Sequence, residues 1–206
     1  MPIAGRISRV EDGTISTAKL VDSAVTNVKL ANDSVTVNGT SIDLGASETI
    51  TAGKILQVVS VTKTSAFFTT VNNSFTDITG LTLDITPSAT SSKIHIFVDT
   101  QMSGNELFFI QLVRGSTAIC IGDSDSSNRV ECSQGGAFQS SNNDKVSCFA
   151  INHVDSPNTT SATTYKLQCQ IYGTSKTLTV NRTFNDSDSS FTGRGASTIT
   201  AYEIAG

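Results

Sequence analysis

From residue 54 onward, apolar and polar side chains alternate in short runs separated by clusters of Ser, Asn, Asp and Gly, the period-two signature of half-buried strands. The runs predict strands at Ile55 to Val61, Phe75 to Ile85, Lys93 to Thr100, Glu106 to Arg114, Ala118 to Ile121, Lys145 to Asn152, Tyr165 to Tyr172, Thr177 to Val180 and Ser197 to Ile204. Ile94, Ile96 and Val98 share one face of their strand, and Tyr165, Leu167, Cys169 and Ile171 share one face of theirs. No segment offers a convincing helix. Strands at this density predict two sheets packed face to face, an antiparallel β-sandwich of jelly-roll type.

The first 52 residues follow a different rule. Ile15-Ser16-Thr17-Ala18-Lys19-Leu20 aligns with Val25-Thr26-Asn27-Val28-Lys29-Leu30 ten residues on, and Val35-Thr36 opens a third copy. In each copy a Ser or Thr hydroxyl can cap a short helical turn that points Leu inward and Lys toward water. One such turn is unstable alone, so burial must come from association. Ile15, Leu20, Val25, Leu30 and Val35 are the expected core of that association. Asn38-Gly39 between alternating β-branched residues predicts a hairpin with a type I′ turn. Gly45 and Gly53 bracket a polar connector, which divides the chain into residues 1–52 and 53–206. All ten Phe and all three Tyr lie in the second part. A short segment of small aliphatic side chains cannot build a private core.

Composition narrows the function classes. Of 206 residues, 28 are Ser and 29 Thr, only 16% are charged, and the net charge is −4 with no basic stripe, so nucleic acid is not an expected partner. No apolar run is long enough to cross a bilayer. The opening Met1-Pro2-Ile3-Ala4-Gly5-Arg6 lacks the apolar stretch of a secretory signal, so the expectation is a product that stays where it is made or leaves by lysis. Cys120, Cys132, Cys148 and Cys169 have no zinc-site spacing and allow three disulfide connectivities. Cys148 and Cys169 lie within apolar strands and are expected reduced and buried. Any bridge is expected first between Cys120 and Cys132.

Candidate chemistry is sparse. Gly122-Asp123-Ser124 imitates an esterase nucleophile block without the Asp-x-x-His it needs, since Ser92 and Ala150 stand three residues before His95 and His153. Asp123/Asp125 and Asp186/Asp188 are the spacings of a glycosidase carboxylate pair or of ordinary solvated turns. The calcium-loop imitation at Asp123 has Asn128 where glycine is needed and Gln134 at the closing position. No Walker loop is present. His95 is expected to be structural. The expectation is no enzyme, no metal and no cofactor.

The ten-residue Ser/Thr-x-x-Lys-Leu repeats, Val35-Thr36-Val37-Asn38-Gly39-Thr40 and the closing Ser197 to Ile204 resemble bacteriophage fibre proteins, especially those of marine phages. Phe75-Thr76-Asp77-Ile78-Thr79-Gly80-Leu81-Thr82-Leu83-Asp84-Ile85, followed by Ser91-Ser92-Lys93-Ile94, is similar to the opening of their β-sandwich tip. The resemblance implies a short repetitive trimeric shaft ending in a jelly-roll tip of tumour-necrosis-factor-like architecture. It also implies a virion location after assembly in the host cytoplasm, and attachment to other virion proteins through the N-terminus. A shaft this short leaves a tail fibre and a head fibre or capsid decoration both open, with a polysaccharide-degrading appendage as a third class.

Receptor contact is expected from the polar loops, whose short side chains can exchange hydrogen bonds with the hydroxyls of a host surface glycan. The candidates are Asp123, Asp125, Asn128 and Arg129 in one loop, and Phe138, Asn142 and Asn143 around the next. Asn158 follows, and Phe184, Asp186, Asp188, Phe191 and Arg194 complete the set. Phe138, Phe184 and Phe191 would add stacking.

Overall fold

The computed structural model describes residues 25–26, 30–37, 40–48, 54–123, 128–138 and 145–206. Ile15 and Leu20 of the repeats, and Asp125, Asn142 and Asn143 of the candidate loops, lie outside the described residues. The chain divides into two units, Met1–Ala52 and Gly53–Gly206.

In the first unit, β1 (Ser34–Val37) and β2 (Thr40–Asp43) pair antiparallel, with Val35 opposite Ile42 and Val37 opposite Thr40. This is the pairing of the hairpin expected about Asn38-Gly39, two residues that themselves lie outside the described ones, and Val35 belongs to its first strand rather than to a third helical turn of the repeat. Its β-branched neighbours favour extended backbone, and the cross-strand partner supplies hydrogen bonds that one helical turn lacks. Val25, Leu30 and Val35 are all exposed in the single chain.

The second unit is all β among the described residues. Its strands are β3 (Ile55–Lys63), β4 (Phe67–Thr69), β5 (Thr76–Ile85), β6 (Lys93–Gly104), β7 (Leu107–Arg114) and β8 (Thr117–Ile119), then β9 (Gln134–Ala137), β10 (Ser147–Asp155), β11 (Thr163–Ile171), β12 (Leu178–Val180) and β13 (Ser197–Ile204). β10 edges one side of β6. On the other side β13 pairs with the first half of β6 and β12 with its last residues, and β3 and β4 lie outside β13 and β12. The second sheet runs β5-β11-β7, with β8 and β9 end to end along the far side of β7.

Alternation builds the core. Ile94, Ile96, Val98 and Met102 of β6, Ile199 and Ala201 of β13, and Leu81, Phe108, Ile110, Leu112, Tyr165, Leu167 and Ile171 of the facing sheet are all buried. Among the described residues the buried polar side chains are matched, apart from Gln134, whose Oε1 has no partner. The Asp155 carboxylate accepts from Arg114 Nη1 at 2.7 and 2.9 Å and from the Tyr165 hydroxyl at 2.6 Å. Burial, then the adjoining carboxylate, pushes the Tyr165 phenol well above its usual range.

Two strands were not legible. β4 is only three residues long, and β9, Gln-Gly-Gly-Ala, reads as a turn. Its glycines are there for closeness: a Cβ on Gly136 would lie 2.8 Å from the Phe108 ring. The expectation of a buried Cys148 is corrected. Phe149 and Ile151 take the inner face of β10, so Cys148 points outward and is exposed, its thiol donating to Asp99 at 3.1 Å. Cys169 is buried as expected, and all four thiols are free.

Candidate functional site

The strand directions define two ends. β3 begins at Ile55 beside Ile204, and Ala205 N donates to Lys54 O at 2.7 Å, so the chain enters at the Lys93 end of β6. β6 then runs twelve residues, roughly 36 Å. At its far end lie the β6–β7 turn, Phe138, and the connection from β12 to β13. That connection is distal to the point of chain entry.

Its geometry starts from Asn181, which is fully buried in the left-handed region at φ 62°. Asn tolerates this conformation because its short side chain bonds locally. Here the Nδ2 group donates to Lys63 O at 2.7 Å and Ser65 O at 3.2 Å, while Oδ1 accepts from the Ser197 hydroxyl. The main chain donates to Gln101 O at 2.7 Å and accepts from Gly195 N at 3.1 Å. One residue thus ties β3, β6 and both ends of the loop together.

The loop is braced from inside. Thr183 is buried, its hydroxyl donating to Asn185 O at 2.8 Å, and Phe184 N donates to the Ser103 hydroxyl at 3.1 Å. Asp186 accepts from Arg182 Nη1 at 2.9 Å and from Arg194 Nη2 at 2.7 Å, so two guanidinium groups share one carboxylate. Arg182 also lies over the exposed Phe68 ring, 5.7 Å from its centroid. Asp186, Asp188, Ser187, Ser189, Thr192 and Arg194 line a cavity of about 380 Å³. Beside it the Phe191 side chain is 78% exposed. Carboxylates, hydroxyls and a guanidinium around an opening, with the exposed Phe191 ring on the same loop, can bind a polyhydroxylated ligand.

Five of the sequence candidates, Phe184, Asp186, Asp188, Phe191 and Arg194, are therefore together at the distal end. The others are elsewhere. Asp123, Asn128 and Arg129 are exposed on the flank where β8 and β9 meet. Asn158 follows β10 at the opposite, proximal end. Phe138 is corrected as a stacking platform: its ring sits 4.9 Å from Phe108 and 5.9 Å from Phe149, committed to closing the core. Phe68 and Arg182 were missed, because a strand pairing between residues more than a hundred positions apart brings them to the site.

The outer faces of the sheets differ in chemistry. On the β5-β11-β7 face, Lys166 and Gln168 donate to Asp77, Gln111 donates to Gln168, and Thr164 donates to Asp84. The Lys166 ammonium, with Gln168, holds the Asp77 carboxyl below its usual range. On the other sheet, Val154, His95, Tyr202 and Val58 form one row across four strands. Ile55, His95, Phe97, Asn152, Tyr202 and Ile204 line a shallow depression of about 400 Å³ there.

No protein family matches this chain, and no curated protein does. Among solved structures it is similar to two from infectious bursal disease virus. The structure of the Gx strain gives 14% identity over 74% of this chain and 39% of that one, with a TM-score of 0.34. The D431N mutant VP2 protein in T=1 particles gives 14% identity over 72% and 36%, also with a TM-score of 0.34. The chain thus spans little more than a third of either, and superpositions this loose assign it no role.

Proposed function

We propose that this chain is a homotrimeric bacteriophage virion fibre, without enzymatic activity, whose sandwich forms a tip that binds host surface glycans. Residues 1–52 serve as anchor to other virion proteins and as shaft, and the protein assembles in the host cytoplasm. One observation carries the glycan reading. The braced loop with its cavity, two arginines, two aspartates and exposed Phe68 and Phe191 stands at the end furthest from chain entry, where a fibre meets its target. The exposed apolar side chains Val58, Val154, Ile55 and Phe97 on the outer face of the sheet containing β6 favour self-association, since a solitary sandwich gains nothing from wetting them. Weak contacts at three linked tips raise avidity by ~10² or more without any new contact.

Light scattering on the purified full chain is expected to give three copies per particle, and a stable monomer overturns the assembly. Binding of the fluorescent full chain to marine bacterial cells is expected to fall at least tenfold after periodate oxidation of their glycans or on Arg194→Ala. Binding to susceptible cells that survives both overturns the glycan reading. Labelling of particle heads by antibody against the sandwich, without adsorption, assigns the chain instead to a head fibre.

A further inference from the structure

β8 and β9 are one lane interrupted. β8 leaves the side of β7 at Ile119, opposite Leu112, and β9 rejoins it at Gln134, opposite Ile110. Only the single position of Gln111 separates departure from return. The two arms of the connection, residues 120–123 and 128–133, thus leave and rejoin β7 at nearly the same point.

Its neck is tied by polar bonds. Ser133 Oγ accepts from Leu112 N at 2.9 Å and donates to Ile119 O at 3.2 Å, while Ser133 N donates to Ile110 O at 2.8 Å. One step further out, Gly122 N donates to Cys132 O at 3.1 Å. Cys120 therefore stands on one arm between Ile119 and Gly122, the two residues that bond to Ser133 and Cys132 on the other. Cys120 is also held at φ 55°, a left-handed conformation that turns the chain sharply outward. Hydrogen bonds on either side of Cys120 thus hold its arm against the arm that carries Cys132, and a disulfide needs roughly 4.4–6.8 Å between Cα atoms.

The remaining thiols are differently disposed. Cys169 is fully buried in the core, and burial pushes its thiol up to about 12. Cys148 is on the outer face of the other sheet, bonded to Asp99. Cys120 and Cys132 are both partly exposed, although burial raises the Cys132 thiol as well.

We propose that Cys120 and Cys132 are a modification site, forming a disulfide that bolts the neck of this connection once the chain meets an oxidising small-molecule disulfide. One protein thiolate attacks a sulfur of that disulfide and expels the first small thiolate. The second protein thiolate attacks the protein sulfur of the mixed disulfide and expels the other. Two protein S–H bonds are lost, one S–S bond forms in the protein, and the oxidant leaves as two thiols. The loop it fixes carries Asp123, Asn128 and Arg129. The site stands on the geometry alone, whatever the chain binds.

The test uses the full chain carrying Cys148→Ser, treated with oxidised glutathione, capped under denaturing conditions and digested without reductant. Free thiols are expected to fall from three to one. A linked peptide pair bearing Cys120 and Cys132 is expected about 2 Da lighter than the sum of its reduced parts. With Cys132→Ser added, Cys120 is expected to stop at the glutathione adduct. Recovery of both cysteines as separate adducts, as free thiols or in links between chains overturns the assignment.

Discussion

Glu203 offers the sharpest quantitative test of how this sandwich is held together. It faces inward from β13 and is 1% exposed. Oε1 accepts from Ser88 N at 2.7 Å, the Ser88 hydroxyl at 2.6 Å and the Ser92 hydroxyl at 2.7 Å. Oε2 accepts from Gln57 Nε2 at 2.6 Å. The carboxylate thus fastens the β5–β6 turn and β3 to the last strand. Burial alone would raise its pKa, but the donors from Ser88, Ser92 and Gln57 outweigh it and hold the value down to about 2, against an ordinary 4.5. Because the folded value is depressed, the stabilisation is complete above the unfolded pKa and is lost as pH falls toward 2. The difference corresponds to about 3 kcal/mol at neutral pH. Glu203→Gln keeps the volume and an acceptor for both serines but removes the charge. Urea titrations from pH 7 to pH 2.5 are expected to show the variant about 2 kcal/mol less stable at neutrality. The gap should close as the wild-type carboxylate protonates. Other lowered carboxylates, Asp77 among them, act equally in both proteins and cancel in the difference. A gap that stays constant across this range, or none at pH 7, refutes the role assigned to the ionised group.

Four further substitutions have outcomes set by what surrounds each residue. Gly136→Ala is expected to cost about 1–3 kcal/mol in urea denaturation, because its Cβ would meet the buried Phe108 ring at 2.8 and 2.9 Å. Gly193→Ala, with nothing within 4 Å, is expected to change little. Asn181→Ala leaves Lys63 O and the Ser197 hydroxyl without their partner and strains a left-handed position, so a loss of about 2–4 kcal/mol is expected. It should also speed proteolysis within residues 182–195. Phe97→Lys on the exposed apolar face is expected to shift light scattering toward monomer while leaving the unfolding midpoint of the isolated subunit nearly unchanged.

Alternation made nine strands of the sandwich legible, because a two-residue period and a half-buried sheet are the same fact seen twice. It failed where chemistry on the inner face is polar. β10 places Phe149, Ile151 and Asp155 inward and Cys148, Ala150 and Val154 outward, so apolarity alone does not choose its phase. Arg114 and Tyr165 choose it by pairing with Asp155 from two other strands. Glu203 is inward for a comparable reason, its donors Gln57, Ser88 and Ser92 all being far away in sequence. The distal loop was visible as a polar cluster, and Asp186, Asp188 and Arg194 do meet around one cavity. Arg182 and Phe68 were not visible, because an exposed aromatic in a three-residue strand gains its partner only through the pairing of β4 with β12.

The contrast between the two outer faces bears on what lies beyond a single chain. Both faces meet solvent in the subunit, so folding exerts the same pressure on each. One answers with a continuous ladder from Asp77 through Lys166 and Gln168 to Gln111. The other presents Val154 at 52%, Val58 at 53%, Ile55 at 58% and Phe97 at 41% exposure. Such side chains leave an apolar area on the order of several hundred Å², comparable to the largest patch on a typical monomer, which is often functional. They lie in the half of the sheet near chain entry, while the braced polar loop stands at the other end. Under the proposed reading this separation is what a fibre tip requires: copies meet along the proximal apolar face, and the distal loops stay free for the target. An arrangement with both features on one end would force the subunits to cover the surface they exist to present.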